Sequence, residues 1–363
     1  MKKTARLTAL LLMIVISSLA LFSCARSPYD YELDDYIRIG DYRQIKINEA
    51  SIDEQALKYK NDLIAAHTKK SNEQIFGRPL QYGDVAIVTY KCYTEESLVM
   101  PLAESADPTP VLEDEACEII LGRGKYLPAF ESGILAAGVS TQELEWHLTL
   151  PSDFGIEALK GKNVVFFVTV HSAYELIKPV YDDAFIKSTT KYATVSEYEA
   201  AMREKARFQL IWDELIAQTE VISFPKDAPD EHRLDFLEYY TNLSNAAGIP
   251  LERYVEIKFF IDSKTFHIKA DEYAKKYTKE EMMVYSIARK NGLELTDDEY
   301  HTGATEYARE YGFESLSEFE SIYGKSFIQY SILKDSVFRY VAYSSLSSPE
   351  LLPPAESEDS AQS

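Results

Sequence analysis

The architecture is inferred most directly from one segment, Glu118-Ile119-Ile120-Leu121-Gly122-Arg123-Gly124-Lys125-Tyr126-Leu127-Pro128-Ala129-Phe130-Glu131-Ser132-Gly133-Ile134. It begins with a short apolar run, Ile119 to Leu121, followed by two glycines, which predicts a strand that ends in a turn. Pro128 then suits the first turn of a short helix. Three apolar side chains follow the turn: Tyr126, Leu127 and Phe130. The segment therefore predicts that these side chains cluster at the mouth of a sheet.

Strand patterns lie on both sides of this segment. Residues 85–93 are β-branched and aromatic, and residues 144–150 alternate in polarity. Residues 163–171 form a continuous apolar strand that suits the middle of a sheet. Residues 94–115 are acidic and contain three prolines, which indicates a loop. The order is therefore strand, loop, strand, helix, strand, strand.

Beyond Thr190 the pattern becomes helical. Ser196 and Glu199 have the spacing of a capping box and begin a long amphipathic helix. A later long helix ends at Asn291-Gly292, a strong C-terminal signal. The run Thr296-Asp297-Asp298-Glu299 is a second capping box. This half of the chain is predicted to consist of helices only.

Three features are predicted upstream of the sheet. Residues 25–35 are polar and irregular, as expected for a tether, and residues 37–47 alternate in polarity and predict an extended strand. Ser51 and Glu54 predict the start of a helix over residues 52–68. The apolar residues expected on its inner side are Leu57, Leu63 and Ile64.

The N-terminus has the pattern of an export signal. Three basic residues precede an apolar run from Leu7 to Leu21, which is too short to span a bilayer comfortably. Leu21-Phe22-Ser23-Cys24 is similar to a bacterial lipobox, so residues 1–23 are predicted to be a lipoprotein signal peptide and Cys24 its lipidation site. A plain secretory peptide or a signal anchor stays open. At the other end, residues 349–363 predict a disordered tail.

Composition excludes several classes of function. Acidic residues outnumber basic ones 59 to 38, and the formal net charge of −21 repels nucleic acid. The six histidines are scattered, with no pair at metal-ligand spacing. Phosphate-loop, dinucleotide and nucleophile-elbow motifs are absent from the sequence. We therefore expect no nucleic-acid partner, no metal and no cofactor.

The segment from Glu118 to Ile134, with this strand order around it, resembles FKBP-type peptidyl-prolyl isomerase domains, in the version found in bacterial trigger factors. Leu159-Lys160-Gly161-Lys162 before the last strand and the run from Pro179 to Lys187 after it are similar to the same family. Downstream, Leu251-Glu252-Arg253-Tyr254-Val255 and the run from Tyr285 to Glu299 resemble parts of the trigger factor C-terminal domain.

The resemblance implies an α+β chain in which an FKBP-like antiparallel sheet with a short helix precedes an all-α, trigger factor C-terminal-like domain. The implied boundaries are a tether, connector strand and helix over 24–79, the sheet domain over 80–178 and the helical domain over 179–348. The basic ribosome-docking loop of the family has no counterpart here. Ribosome docking is therefore not expected.

The resemblance also implies a binding slot. Prolyl isomerisation needs no nucleophile, metal or cofactor, because its barrier of about 18–20 kcal/mol comes from amide resonance and an apolar slot that excludes water lowers it. The matched wall residues are Tyr90, Tyr126, Leu127, Phe130, Phe154 and Phe166. The pattern departs from the family at Cys92-Tyr93, where a glycine is usual, and at Cys117, where an aromatic wall residue is usual. Whether isomerase activity is retained, weak or lost stays open.

The two cysteines of the sheet allow two interpretations. Cys92 lies two residues after Tyr90 and shares its sheet face, and the resemblance places Cys117 on the paired strand. If register holds, the pair lies within the separation that a disulfide needs. The alternative is two buried free thiols.

These features predict a membrane-anchored folding factor on the extracytoplasmic side. Its partners would be unfolded or newly secreted polypeptides, bound by a peptidyl-prolyl isomerase-like slot and by a helical chaperone domain. The alternative is a non-enzymatic binding or scaffold lipoprotein that uses the same architecture.

Overall fold

The computed structural model describes residues 28–29, 31–99, 108–226 and 228–346. The predicted signal peptide, Cys24 and the predicted tail lie outside the described residues. The chain divides into two compact units, each built from separate stretches of sequence. The sheet unit comprises Ala56–Met202 and Asp230–Ala274, and the helical unit comprises the remaining stretches. The boundaries predicted at 79/80 and 178/179 do not coincide with these divisions.

The described residues form short and long elements in the following order. The strands are β1 Ile37–Arg38, β2 Lys69–Gln74, β3 Val85–Thr94, β4 Leu112–Ile120, β5 Ser140–Thr149, β6 Asn163–Ile177 and β7 Glu220–Val221. The helices are α1 Glu49–Ala66, α2 Glu95–Val99, α3 Pro128–Ala137, α4 Asp183–Thr189, α5 Val195–Gln218, α6 Ala228–Ala246, α7 Leu251–Phe259, α8 Ser263–Asn291, α9 Asp297–Glu310, α10 Leu316–Tyr323 and α11 Lys325–Ser345.

Strand β6 is the centre of an antiparallel five-stranded sheet. One of its edges pairs with β3, which in turn pairs with β4. The other edge pairs with β5 along residues 163–170 and with β2 along residues 174–177. This central position explains why residues 164–166 of β6 are consecutively buried. The predicted α+β class and the antiparallel sheet with a short helix are confirmed.

Helix α3 covers one face of this sheet. Pro128 occupies its first turn, where a missing N–H costs nothing, and Phe130 and Ile134 point into the core. On β3, Val88, Tyr90 and Cys92 are all buried, as the two-residue period of a strand requires.

The region predicted as an acidic loop over residues 94–115 is only partly irregular. Strand β3 extends to Thr94, helix α2 follows at once, and β4 begins at Leu112. Strand β2 was also not predicted. Its sequence, Lys-Lys-Ser-Asn-Glu-Gln, has no apolar residue, and it pairs with β6 through its backbone.

The helical unit has a core formed by α5, α8 and α11 together with the N-terminal segment. Tyr29, Leu33, Ile37 and Ile45 are buried in the same cluster as Trp212. The tether prediction is therefore wrong from Tyr29 onward. The predicted strand over 37–47 is reduced to two residues, Ile37 and Arg38, which pair with β7, because the following residues pack through side chains instead of a strand partner.

Two of the predicted helix boundaries are confirmed. The capping box of Thr296 and Glu299 is present, and α8 ends at Asn291. Two other caps were assigned to the wrong residue. Helix α1 begins at Glu49, where the Asn48 Oδ1 atom accepts the Ala50 N–H at 2.9 Å, and Thr194 instead of Ser196 caps α5. Leu57, predicted to face inward, is 54% exposed.

Candidate functional site

A cavity of about 460 Å³ opens where α3 meets the sheet. The structure brings all six predicted wall residues to it: Tyr90, Tyr126, Leu127, Phe130, Phe154 and Phe166. They come from β3, the turn before α3, α3 itself, the loop between β5 and β6, and β6. We call this cavity the slot. That these residues bind a substrate remains a prediction.

The floor of the slot is rigid because its rings belong to the core. Tyr90, Phe130 and Phe166 are almost fully buried, and their ring centroids lie 5.0 to 6.0 Å apart. Trp146 on β5 contacts Phe130 from behind, at 5.6 Å between centroids. Close aromatic packing of this kind fixes each ring in one orientation.

The rim is more accessible. Tyr126 stacks on Phe130 with centroids 5.7 Å apart and planes inclined by 22°. Leu127 precedes the first residue of α3, and Phe154 lies in the loop after β5. These three side chains are half-buried. A bound chain could therefore contact them directly.

The turn that carries the rim is held by a carboxylate. The Gly122 N–H donates to the Glu131 Oε2 atom at 2.7 Å, although Glu131 is only 4% exposed. Gly122 has a φ of +84°, and a Cβ there would lie 2.9 Å from the Tyr82 ring. Only glycine meets both constraints. The glycine turn and α3 are therefore tied together at the edge of the slot.

The slot offers mainly apolar and aromatic surface. Burial raises the pKa of Tyr90 and the pKa of Tyr126 above the usual tyrosine range. Lys125 and Asp153 are its charged lining residues. Among the residues that the structure describes, no three potential metal ligands come together.

Three further wall residues were missed by sequence reasoning: Phe259, Phe260 and Ile261, at the end of α7 and in the turn to α8. Phe260 lies 94 to 170 positions downstream of the six predicted wall residues. The apolar run from Phe259 to Ile261 is visible in the sequence, but no local pattern connects it with the sheet.

Of the two interpretations of Cys92 and Cys117, the structure has the free thiols and no disulfide between them. Cys92 lies opposite Leu112, whereas Cys117 lies opposite Val88, four residues before Cys92 on β3. Four residues of strand span about 13 Å, beyond the reach of a disulfide. Burial raises the pKa of the Cys92 thiol to about 12 and that of Cys117 to about 11. The cysteines are therefore small apolar residues here.

Residues 184–343 match the family model of the bacterial trigger factor protein C-terminus. This part of the chain is similar to the trigger factor C-terminal family, and we call it the trigger factor region. The helices of this trigger factor region extend from α4 to α11 and include the turn that carries Phe260. The slot is thus lined by the sheet and by one turn of the trigger factor region.

Comparisons over a longer part of the chain also find similarity to trigger factors. The trigger factor of Acetivibrio thermocellus is 23% identical over 291 residues, which cover 77% of this chain and 65% of that protein. The trigger factor of Caldanaerobacter subterraneus subsp. tengcongensis is 25% identical over 325 residues, covering 84% and 69%. This chain therefore spans about two thirds of the length of these relatives.

A solved structure, from work on promiscuous substrate recognition in the folding and assembly activities of the trigger factor chaperone, is 18% identical. It covers 85% of this chain and 72% of that one, with a TM-score of 0.30.

Proposed function

We propose that this protein is a folding factor that binds apolar segments of unfolded polypeptides and accepts a proline-containing segment in the slot. The observation that carries the proposal is the convergence of six predicted apolar and aromatic side chains on one open cavity. Such a cavity removes water from a bound imide, and a twisted imide is less penalised there than in water. No proton transfer is needed, because the barrier comes from amide resonance.

The rate of isomerisation depends on how closely the walls hold the imide. Cys92 is fully buried on the same sheet face as Tyr90, at the position where the resemblance leads us to expect a glycine. Its side chain adds volume beneath the slot. Weak or absent isomerisation with retained peptide binding is therefore part of the proposal.

Exposed aromatic side chains supply a second binding surface for unfolded chains. Tyr311, Tyr323 and Phe327 are exposed, and their rings form a series with centroids 6.1 and 6.3 Å apart. We call these three residues the aromatic ladder. Their inner neighbour Phe319 is buried and stacks on Tyr311, so the ladder is held in place from below. Contiguous exposed apolar surface of this kind is typical of protein-binding sites.

The chaperone proposal is tested by light scattering of chemically unfolded rhodanese and malate dehydrogenase, diluted into the full chain purified in detergent. Replacing Tyr311, Tyr323 and Phe327 together by serine should reduce suppression of aggregation for both clients. The matched control replaces three exposed apolar residues outside the ladder, Leu57, Phe76 and Val180, by serine. Equal suppression by both triple variants would remove the ladder from the proposal.

A wild-type chain that ignores both clients, but binds one partner saturably, would instead establish the alternative of a scaffold or binding protein. Isomerase activity is measured separately, with a protease-coupled assay on a proline peptide. Tyr126→Ala should abolish whatever turnover the wild type has, because Tyr126 forms the rim and stacks on the floor.

We place this activity on the extracytoplasmic face of the membrane, with Cys24 as the lipid-bearing residue and no docking to ribosomes. The support is the basic, apolar and Leu21–Cys24 pattern at the N-terminus. In the described part of the chain, no helix has the length and apolar character needed to cross a bilayer. Mass spectrometry of the membrane-extracted protein should find Cys24 modified, and Cys24→Ala should leave the precursor uncleaved. An unmodified Cys24 in the wild type would refute the anchor.

A further inference from the structure

The turn between α7 and α8 is docked on the rim of the slot. The Phe260 ring lies 5.5 Å from the Tyr126 ring and 6.4 Å from the Phe154 ring, measured between centroids. Two hydrogen bonds, both through Asp262, accompany these ring contacts. The Asp262 N–H donates to the Gly155 carbonyl at 3.2 Å, and the Glu157 N–H donates to the Asp262 Oδ2 atom at 3.1 Å. The turn thus meets the slot loop through both rings and backbone.

The contact is close enough to require a glycine. A Cβ on Gly155 would lie 2.3 Å from the Phe260 carbonyl oxygen and 2.9 Å from Ile261. The backbone of Gly155 itself is not in the left-handed region, so its own conformation would accept alanine. The glycine is needed because the turn approaches it.

Phe260 also adopts a conformation that L residues avoid. Its φ and ψ are +55° and +39°, in the left-handed region where glycine and asparagine are favoured. A phenylalanine persists there only when its surroundings hold it. The rings of Tyr126 and Phe154 supply those surroundings.

Ion pairs hold α7 along the start of β4. Arg253 donates to the Val111 carbonyl oxygen at 2.7 Å and pairs with Glu113 at 3.3 Å. One turn later, Lys258 pairs with Asp114 at 3.3 Å. The acidic residues that the sequence assigned to a loop are thus the partners of basic residues on α7.

We infer that the wall residue Phe260 takes part in peptide binding, so that the peptide site is a composite of the sheet and the α7–α8 turn. This inference rests on the proposed function. The turn lines the slot without filling it, because about 460 Å³ remains between its residues and the floor, a volume within the range of ligand pockets. Phe260 packs against Tyr126 at the rim and would contact the apolar residue that flanks a bound proline. It therefore determines which flanking residues the slot accepts.

The test uses the full chain in detergent and a fluorescently labelled Leu-Pro-Phe peptide, with binding followed by anisotropy. Phe260→Asn removes the ring and keeps a residue that tolerates the left-handed conformation. Gly155→Ala leaves the ring intact and displaces the turn. Each variant should weaken binding by about tenfold, the equivalent of about 1.4 kcal/mol. The double variant should be no weaker than either single one, because both remove the same wall.

The matched control is Tyr239→Asn, which removes an exposed aromatic ring of α6. This variant should bind Leu-Pro-Phe with unchanged affinity. A Leu-Pro-Ala peptide lacks the flanking ring, so it should bind Phe260→Asn and the wild type with equal affinity. Unchanged or tighter binding of Leu-Pro-Phe to Phe260→Asn would overturn the composite site, and tighter binding would show that the turn competes with the peptide.

The outcomes separate this inference from the proposed function. If the wild type binds the peptide and both variants bind it with the same affinity, the role of Phe260 is refuted and the proposed peptide binding by the slot stands. Absence of any wild-type binding refutes the slot and the wall together, while the aggregation assay still decides the chaperone proposal. Thermal melting of each variant serves as a check. A variant that stays folded at the assay temperature and still binds Leu-Pro-Phe more weakly has lost a wall contact and not its fold.

Discussion

Single side chains around the slot differ in how much of the fold depends on them. Phe130 contacts four aromatic rings, those of Tyr90, Tyr126, Trp146 and Phe166. Phe154 is half-buried, and its one ring contact is with Phe260 within the described residues. Removing a buried ring costs both transfer free energy and the cavity that remains. Floor and rim residues should therefore separate stability from binding.

We predict that Phe130→Ala lowers the free energy of unfolding by about 3–5 kcal/mol, whereas Phe154→Ala lowers it by about 1 kcal/mol or less. Urea unfolding in a Trp212→Phe background, which leaves Trp146 as the only tryptophan, measures the difference. Comparable losses in the two variants would mean that the rim is as well packed as the floor.

A second residue-scale prediction concerns Asp84, which is buried at the start of β3. Arg78 donates two hydrogen bonds to its carboxylate, at 2.8 and 2.9 Å, and the Gln81 N–H donates a third at 2.9 Å. These bonds, chiefly those from Arg78, hold the pKa of Asp84 below its ordinary value of 3.8. The carboxylate therefore stabilises the fold above that ordinary value, and the contribution is lost as pH falls through the lower, folded-state pKa.

Asp84→Asn should accordingly be less stable than the wild type at pH 7, and the gap should narrow as the pH falls below about 4. Paired denaturation curves between pH 7 and pH 2.5 measure it. A gap that stays constant over this range would mean that the Asp84 charge contributes nothing to stability.

At the scale of helices and strands, the sequence predicts one cap fully from local residues, whereas distant strand pairing leaves no local signal. The capping box before α9 lies within four consecutive residues, so the sequence contains all of it. Strand β2 has no apolar pattern because its stability comes from pairing with β6, more than 100 residues away. The register of β3 and β4 pairs Cys117 with Val88 and includes a bulge between Val88 and Tyr90, and sequence spacing reveals neither feature.

The cap of α9 provides a quantitative check at this scale. The Thr296 Oγ1 atom accepts the Glu299 N–H at 3.2 Å, and Glu299 accepts the Thr296 N–H at 2.8 Å. Thr296→Ala should cost about 1 kcal/mol. Thr305→Ala, in the interior of the same helix, should be neutral or slightly stabilising, because alanine has the higher helix propensity. Thermal unfolding of both variants gives the comparison, and equal effects would exclude a role for the cap.

Over the whole molecule, the largest difference from the sequence prediction is the role of the N-terminal segment. The segment is polar and irregular, and such composition suggests a tether. Burial instead depends on a few anchors, Tyr29, Leu33 and Ile37, which enter a core formed by helices far along the chain. Arg289 donates to the carbonyl oxygens of Tyr29 and Tyr31, both at 2.7 Å. Neither contact leaves a periodic trace in the sequence.

Two leucines distinguish the tether prediction from the structure, because the sequence predicts that Leu57 is the more buried of the two, whereas in the structure Leu33 is the more buried. Leu33 was assigned to a tether but is 2% exposed, and Leu57 was assigned to a buried helix face but is 54% exposed. Leu33→Ala should lower the free energy of unfolding by about 2–5 kcal/mol. Leu57→Ala should change it by about 0.5 kcal/mol or less.

Trp212 is the appropriate probe, since it lies in the same cluster as Leu33 and donates to Glu280 at 2.8 Å. In a Trp146→Phe background its fluorescence follows unfolding of the helical core alone. A tether contributes no buried surface, so a stable Leu33→Ala variant together with a destabilised Leu57→Ala variant would restore the tether. A destabilised Leu33→Ala variant together with a stable Leu57→Ala variant would mean that the segment is part of the helical fold from Tyr29 onward. Fewer than five residues then lie between Cys24 and the core to serve as a spacer from the membrane.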